Sequence, residues 1–296
     1  MSIYTVSIAV PTYNRPELLK RALISIKNQT YLPDEVIVFD NATPGKEVDA
    51  IIDEFLLLIP NLRYYKQKEN VGPGPNVIGC INYSSSDLFM WLADDDEISP
   101  SCLEELLTMF ENIPGLAIAV PRWHLFSDLK NFEIMPKRSY ISNYSFFRIS
   151  KYMFRSTDEI FYGLHRREWL TRCNLKSYYW PNKNETLNLV QPFLLNMVIE
   201  GKVITTNNNN AYWRNYDYGV KYHGQKEKST LSFMQIIFFH FRYLMRRFNL
   251  QILYLSKISD RLGKLVVIAF LPVSLLTILR DFISHFYNII SRKSKK

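Results

Sequence analysis

Residues 88–100 read LFMWLADDDEISP. Five apolar residues, Leu88–Leu92, run almost directly into three consecutive carboxylates, Asp94, Asp95 and Asp96. An apolar run this short, ending abruptly in charge, reads as a buried strand that stops at the edge of a sheet. Leu103, Leu106, Leu107 and Phe110 then recur at helical spacing, so Ser99 is expected to cap a helix with Pro100 at its first position. The stretch is strand, acidic turn, helix.

The same unit recurs upstream. Thr5–Val10 (TVSIAV) is a strand, and Pro16–Gln29 a helix with Pro16 at its start. Glu35–Phe39 is a second strand ending at Asp40, followed by a helix over Glu47–Leu58. Leu62–Lys66 is a third strand, followed by a Gly/Pro loop and a helix over Gly74–Tyr83. Leu116–Val120 is a strand after the acidic unit. Strand–helix alternation predicts an α/β fold, a parallel sheet with helices on both faces. Such sheets bind ligands off the carboxyl ends of their strands. The polar clusters fall there: Thr12, Asn14 and Arg15, then Asp40 and Asn41, then Asn70 to Asn76, then the acidic triplet.

In an extended chain, residues two apart share a side, so Asp94 and Asp96 are expected to converge while Asp95 turns away. Converging carboxylate oxygens suit a hard divalent cation, Mg²⁺ or Mn²⁺, which also holds phosphate oxygens. Val10–Arg15 is a strand end turning into a helix, whose backbone N–H groups can hold a base or phosphate. The loop from Glu69 to Asn76 fits neither a dinucleotide fingerprint nor a Walker loop, leaving a structural turn or a ligand contact.

Composition narrows the class. With 47% hydrophobic and 22% charged residues, the chain is neither a disordered tail nor a multi-pass membrane protein. Its three cysteines (Cys80, Cys102, Cys173) form no CxxC pair, which fits a reducing compartment. The N-terminus shows neither the basic nor the apolar part of a secretory leader. The net charge of +8 is uneven: residues 231–296 hold 11 Lys/Arg against Asp260 and Asp281, leaving the other residues near neutral. A nucleic-acid enzyme would line a groove with cations, but these lie in a strongly apolar segment, so no nucleic-acid partner is expected. The longest uncharged run there, Leu265–Leu279, is 15 residues and contains Pro272. As a helix it would be about 22 Å long, short of the ~30 Å hydrocarbon core. Amphipathic helices lying on an anionic membrane surface are expected instead, peripheral to the cytoplasmic face. A helical subdomain packed on the body, or on another subunit, is the other reading.

Together, Pro11-Thr12-Tyr13-Asn14-Arg15, Asp40 after the second strand, Asn70-x-Gly72, and Asp94-x-Asp96 followed by Pro100 and Leu103 resemble the family 2 glycosyltransferases. The resemblance is good over residues 4–122. It continues more weakly through Gly163–Arg167 and Gly201–Arg214, which look like acceptor-side elements. It implies a GT-A fold, a Rossmann-like mixed sheet flanked by helices, over residues 1–230. Residues 1–122 would be the nucleotide-binding half, 123–230 the acceptor half, and 231–296 a membrane-association segment. It implies inverting, metal-dependent transfer from a nucleotide sugar, UDP-linked, to a saccharide or lipid-linked acceptor, as in lipopolysaccharide or capsule synthesis. Pro11, Thr12, Asn14 and Asp40 would contact base and ribose, with Arg15, Asn70, Gly72, Asn76 and Asp95 in the same donor site. Asp94 would contact ribose or metal, and Asp96 the metal.

An inverting enzyme of this type needs a carboxylate to take the acceptor proton. Acidic residues are scarce between Cys173 and Gly201, and Glu185, just before an expected helix over Leu187–Ile199, is the candidate base. His223 is a candidate metal ligand from a late loop, as in some relatives. Two other classes stay open. A sugar-nucleotide nucleotidyltransferase would carry a Gly-rich basic loop after the first strand, and Pro11–Arg15 has no Gly. A non-catalytic membrane-bound scaffold would keep the nucleotide fold alone.

Overall fold

The computed structural model describes residues 3–127, 130–134, 136–172, 190–207, 211–215 and 249–293. Three parallel pairings build the first half: β1 (Val6–Thr12) with β2 (Glu35–Asp40), β2 with β3 (Leu62–Lys66), and β1 with β4 (Leu88–Trp91). The full sheet has seven strands in the order β10-β6-β9-β4-β1-β2-β3, adding β6 (Leu116–Val120), β9 (Leu164–Arg166) and β10 (Lys202–Thr205). A second sheet orders β5 (Asp96–Ile98), β11 (Ala211–Asn215), β7 (Arg122–Ser127) and β8 (Lys130–Ile134) as β5-β11-β7-β8.

Period-two alternation sorts the strand side chains into two cores. Val6, Ile8 and Val10 join α1 (Pro16–Lys27), α2 (Glu47–Leu56) and α4 (Cys102–Asn112) on one face. Ala9, Ile37, Phe39, Phe89 and Trp91 join α3 (Pro73–Asn82), α5 (Ser145–Phe154), α6 (Arg167–Thr171) and α7 (Val190–Glu200) on the other. Each fully buried Ile, Leu or Phe contributes about 1.5–3 kcal/mol. This is the mixed, helix-flanked sheet that the GT-A resemblance implies. A purely parallel sheet, as strand–helix alternation suggests, is not what forms: β9 runs antiparallel to both β4 and β6 and joins the two parallel halves. Its entry is tight, because a Cβ on Gly163 would lie 2.7 Å from the Ala119 carbonyl oxygen.

α4 starts at Cys102 rather than Pro100. Gln29 takes over the capping: its amide donates to the Ser99 carbonyl at 2.8 Å, and its oxygen accepts from Leu103 N–H at 3.0 Å. Past the sheet, α8 covers residues 249–262 and α9 is a 27-residue helix, Val267–Lys293, that continues through Pro272, Arg280 and Asp281. Lys264–Ser284 within this region is long and apolar enough to cross a membrane. The 15-residue length taken from charge positions therefore understates the helix. α5 links this C-terminal pair to the body, with Tyr152 packed on Tyr254 and Phe146 on Phe270.

Two buried charges hold the scaffold. The Arg148 guanidinium of α5 donates only to carbonyls: Val198 and Ile199 at the end of α7 (3.0 and 2.9 Å), and Ser142 and Asn143 (2.8 and 3.0 Å). It caps the helix and satisfies its last carbonyls. Glu35, at the foot of β2, accepts hydrogen bonds from Ser7 and Ser85 and pairs with Arg63. Burial pushes its carboxyl up, but those hydrogen bonds and the Arg63 charge outweigh it and lower the pKa from 4.5 to about 2.

Arg148→Leu is expected to lose about 3 kcal/mol or more of unfolding free energy, because the buried Val198 and Ile199 carbonyls lose their donor and two loop carbonyls lose theirs; the midpoint of urea unfolding reads this. Glu35 adds stability that is present above pH 4.5 and is lost as pH falls from 4.5 towards about 2. Glu35→Gln should therefore flatten the dependence of melting temperature on pH across that window; an unchanged slope would assign the acid sensitivity elsewhere.

Candidate active site

The carboxyl ends of β1, β2 and β4 open onto a cavity of about 620 Å³. The end of β1 contributes Pro11 and Thr12, the turn after it Tyr13 and Arg15, and the loop after β2 Asn41. Asn70, Pro73, Asn76 and Val77 come from the start of α3, and Trp91, Ala93, Asp94 and Asp95 from the end of β4. Phe161 and Tyr162, in the 3-10 turn Glu159–Tyr162, close the far wall.

Asp94 is 4% exposed. Thr12 Oγ1 donates to its Oδ2 at 2.8 Å, and Arg15 Nη1 to its Oδ1 at 2.9 Å. Burial pushes the Asp94 carboxyl up to about 6, with Asp95 adding to the shift and Arg15 and Thr12 opposing it. The same guanidinium nitrogen lies 3.5 Å from Asp95 Oδ2. Asp94 and Asp95 are thus the neighbouring pair on the cavity wall. Residues 94–95 make a turn, so the extended alternation does not carry through them, and Asp96 is not among the residues lining the cavity. Asp96 opens β5, which pairs antiparallel with β11, and its carboxylate accepts from Tyr212 O–H at 2.8 Å. The Tyr212 oxygen also accepts from Ala93 N–H at 3.3 Å, so one phenol pins both sides of the acidic turn. Burial and Asp96 raise the Tyr212 pKa, and its ring stacks on Trp123 with centroids 4.5 Å apart.

Asp40 is fully buried and acts as a latch beside the cavity rather than on its wall. Its Oδ1 accepts from Thr43 N–H (3.0 Å) and Oγ1 (2.6 Å), and its Oδ2 from Tyr64 O–H (2.9 Å). Thr43 Oγ1 accepts in turn from Asn14 N–H at 2.8 Å, so the loops after β1 and β2 are hooked together. Asn14 (φ 55°) and Ala42 (φ 61°) hold left-handed backbone within this hook. Asn41 reaches the next loop: its amide donates to Asn70 Oδ1 at 2.9 Å and its oxygen accepts from Val71 N–H at 2.9 Å. Gly72, at φ 89°, turns this loop into α3. Asn76 is buried, its amide donating to the Phe39 carbonyl at 3.1 Å and its oxygen accepting from Gln67 at 2.7 Å.

The other half of the cavity is aromatic. Trp91 donates its indole N–H to the Val77 carbonyl at 2.8 Å and stacks on Phe161, centroids 4.3 Å apart and planes 17° apart. Phe193 of α7 backs both rings. His165 of β9 stands edge-on to Trp91 and shares a 2.8 Å hydrogen bond between Nε2 and the Phe161 carbonyl. Burial lowers its pKa to about 4, so it is a neutral packing group.

Of the residues named from sequence, Pro11, Thr12, Arg15, Asn70, Asn76, Asp94 and Asp95 meet on the cavity wall. Asn14, Asp40, Gly72 and Asp96 shape the loops around it. Glu185 and His223 lie outside the described residues. Trp91, Phe161 and Tyr162 were not singled out: Trp91 reads as one more apolar strand residue, and the other two carry no pattern that separates wall from core. Among the described residues, no group of three or more His, Cys, Asp or Glu could hold a metal.

Comparison with known proteins agrees with this geometry. The family model "Glycosyl transferase family 2" matches residues 7–173, more than half of the chain, and the chain belongs to that family. It is 25% identical over 189 residues to the GalNAc(5)-diNAcBac-PP-undecaprenol β-1,3-glucosyltransferase of Campylobacter jejuni, covering 58% of this chain and 61% of that one. It is 27% identical over 176 residues to the abequosyltransferase RfbV of Salmonella typhimurium, covering 57% of this chain and 47% of that one. The matches thus span roughly half to three-fifths of those relatives. Among solved structures, S. aureus TarS 1-349 in complex with UDP-GlcNAc shares the fold, with a TM-score of 0.61, 14% identity, and coverage of 89% of this chain and 69% of that one.

Thr43→Ala should cost about 1–2 kcal/mol in urea unfolding, because Asn14 N–H and one Asp40 oxygen lose their shared hydroxyl. Thr43→Ser should keep most of that stability; equal loss in both variants would remove the hydroxyl from the account.

Proposed function

We propose that this family 2 chain transfers one sugar, with inversion, from a nucleotide-sugar donor to a lipid-linked or surface-polysaccharide saccharide. The observation that carries the reading is the two-part cavity, in which Thr12, Arg15, Asn41, Asn70 and Asn76 meet Asp94 and Asp95 at the carboxyl ends of the strands. Polar amides and a guanidinium suit a base, a ribose and a diphosphate. The aromatic wall of Trp91, Phe161 and Tyr162 offers flat apolar faces to a sugar ring. We take the donor to be UDP-linked, as in the TarS complex of the same fold. A lipid-linked acceptor is supported by the Campylobacter relative, whose name specifies a saccharide on PP-undecaprenol. Residues 1–122 serve the donor, 123–230 the acceptor, and the basic, apolar residues 231–296 the cytoplasmic face of an anionic membrane.

The acidic turn fits a hard dication. Asp94 and Asp95 present adjacent carboxylate oxygens to the cavity with a single nitrogen of Arg15 beside them, and oxygen-only donors of this kind suit Mg²⁺ or Mn²⁺. When bound, the ion neutralises charge that grows on the departing nucleoside diphosphate. The chain supplies the rest. Arg15 adds a fixed positive charge at the same place. The Asn41–Asn70 bridge holds the nucleotide side of the cavity in one shape before binding, which lowers the ordering cost. The aromatic wall excludes water that would hydrolyse the donor. Glu185 is the proposed base that takes the acceptor proton, and His223 the proposed additional metal ligand.

The test measures nucleoside diphosphate release from a panel of nucleotide sugars, with Mn²⁺ or Mg²⁺ and an undecaprenyl-diphosphate-linked saccharide. Release with the wild type, reduced at least about a hundredfold in Asp94→Asn and in Glu185→Gln, is the expected result. Absence of release from every donor, with no shift in melting temperature on adding UDP and Mn²⁺, would remove the donor assignment. Release that survives Glu185→Gln unchanged would remove only the base.

A further inference from the structure

α9 wears its chemistry inside out. The stripe resting on the body is Phe270, Ser274, Thr277 and Asp281, all buried, and three of the four are polar. The opposite arc carries Ile268, Leu275, Leu279 and Phe282, exposed at 53% to 66%. A helix folded onto a water-facing body shows the reverse arrangement. The inner stripe is satisfied: Ser274 donates to Gln251 Oε1 at 3.3 Å, Thr277 to the Val273 carbonyl at 2.8 Å, and Asp281 accepts from Arg280. α5 grips the helix at two places, through Phe146 against Phe270 and through Arg280, which lies over the Phe154 ring at 4.5 Å. Those grips are ten residues apart, about 15 Å along the axis, so α9 lies along the body.

The apolar surface does not stop at α9. Beside Phe146, the start of α5 exposes Tyr144 at 74% and Phe147 at 61%, with Ile141 at 59% just before it. Exposed cations border it: Lys264 before α9, and Lys151 and Arg155 on and just after α5. Aliphatic residues flanked by aromatics and then by cations match the boundary between acyl chains and anionic headgroups. A second copy is a poor occupant, because a self-complementary contact would press one segment of net charge +9 against its twin.

We infer that α9 lies flat in the membrane interface with its outer arc in lipid, and that Tyr144 and Phe147 of α5 enter the same interface as a second anchor. This rests on the reading of residues 231–296 as a membrane segment and extends it to a helix outside that segment.

The test uses the full chain with vesicles of phosphatidylcholine, alone or mixed with phosphatidylglycerol. The wild type should co-sediment, more strongly with the anionic vesicles, and be stripped by alkaline carbonate. The exposed pairs Tyr144→Ser/Phe147→Ser and Leu275→Ser/Leu279→Ser should each lower partitioning by about tenfold without changing the melting temperature. Wild-type partitioning by the Tyr144/Phe147 pair would overturn the second anchor and leave the C-terminal reading standing. No binding by the wild type would overturn both. Retention through carbonate would overturn the flat placement. A lipid-free dimer that Leu275→Ser/Leu279→Ser disperses would make this face a contact between copies instead.

Discussion

Asp94 is a carboxylate taken almost out of water, and so large a desolvation has to be offset on the spot. Thr12 at the end of β1 and Arg15 just beyond it do this, and β1 pairs directly with β4, the strand that leads into Asp94. One buried charge therefore fixes where two chain segments some eighty residues apart in sequence come together. The Asp40 latch repeats the device one strand over, with Thr43 carrying the link to Asn14. Because the loops are tied to each other by buried polar contacts, the crevice above them has its shape before anything enters it.

Much of this was legible in the residues. Apolar runs ending in polar clusters located β1 to β4, the helices between them, and the edge at which the site lies. Three parts were not legible, each for a physical reason. β9 is three residues long, too short for periodicity to register, and its direction is set by its neighbours. The orientation of the acidic triplet depends on a turn at residues 94–95, and strand alternation does not carry across a turn. The aromatic wall was hidden because Trp91 and Phe161 pack simultaneously against the core and the cavity. The place of Asp40 at a strand end does not reveal that its carboxylate also ties its own loop through Thr43 and Tyr64.

The C-terminal region shows how far charge counting reaches. Lys264 and Arg280 bracket an uncharged stretch, yet the helix runs on, because Arg280 and Asp281 pair with each other and Arg280 also reaches the Phe154 carbonyl. A charge neutralised locally does not end a helix. Pro272 sits in the second turn of α9, where it has no N–H to give the Ile268 carbonyl, and the helix continues through it.

The short strand β9 has one more implication, for the order in which the molecule is made. It is the seam between β4-β1-β2-β3 and β6-β10, holding on through Leu164–Arg166 on one side and Leu164–His165 on the other. Its partners lie far upstream in the chain, so the closure entropy of a long loop is spent on few ladder bonds, and such contacts form slowly. Phe161 and Tyr162 sit immediately before that seam and arrive with it. A nascent chain that has completed its first four strands has the polar edge of the crevice but no far wall. The crevice closes only when the zip runs home, which couples the birth of the binding pocket to a long-range step of folding.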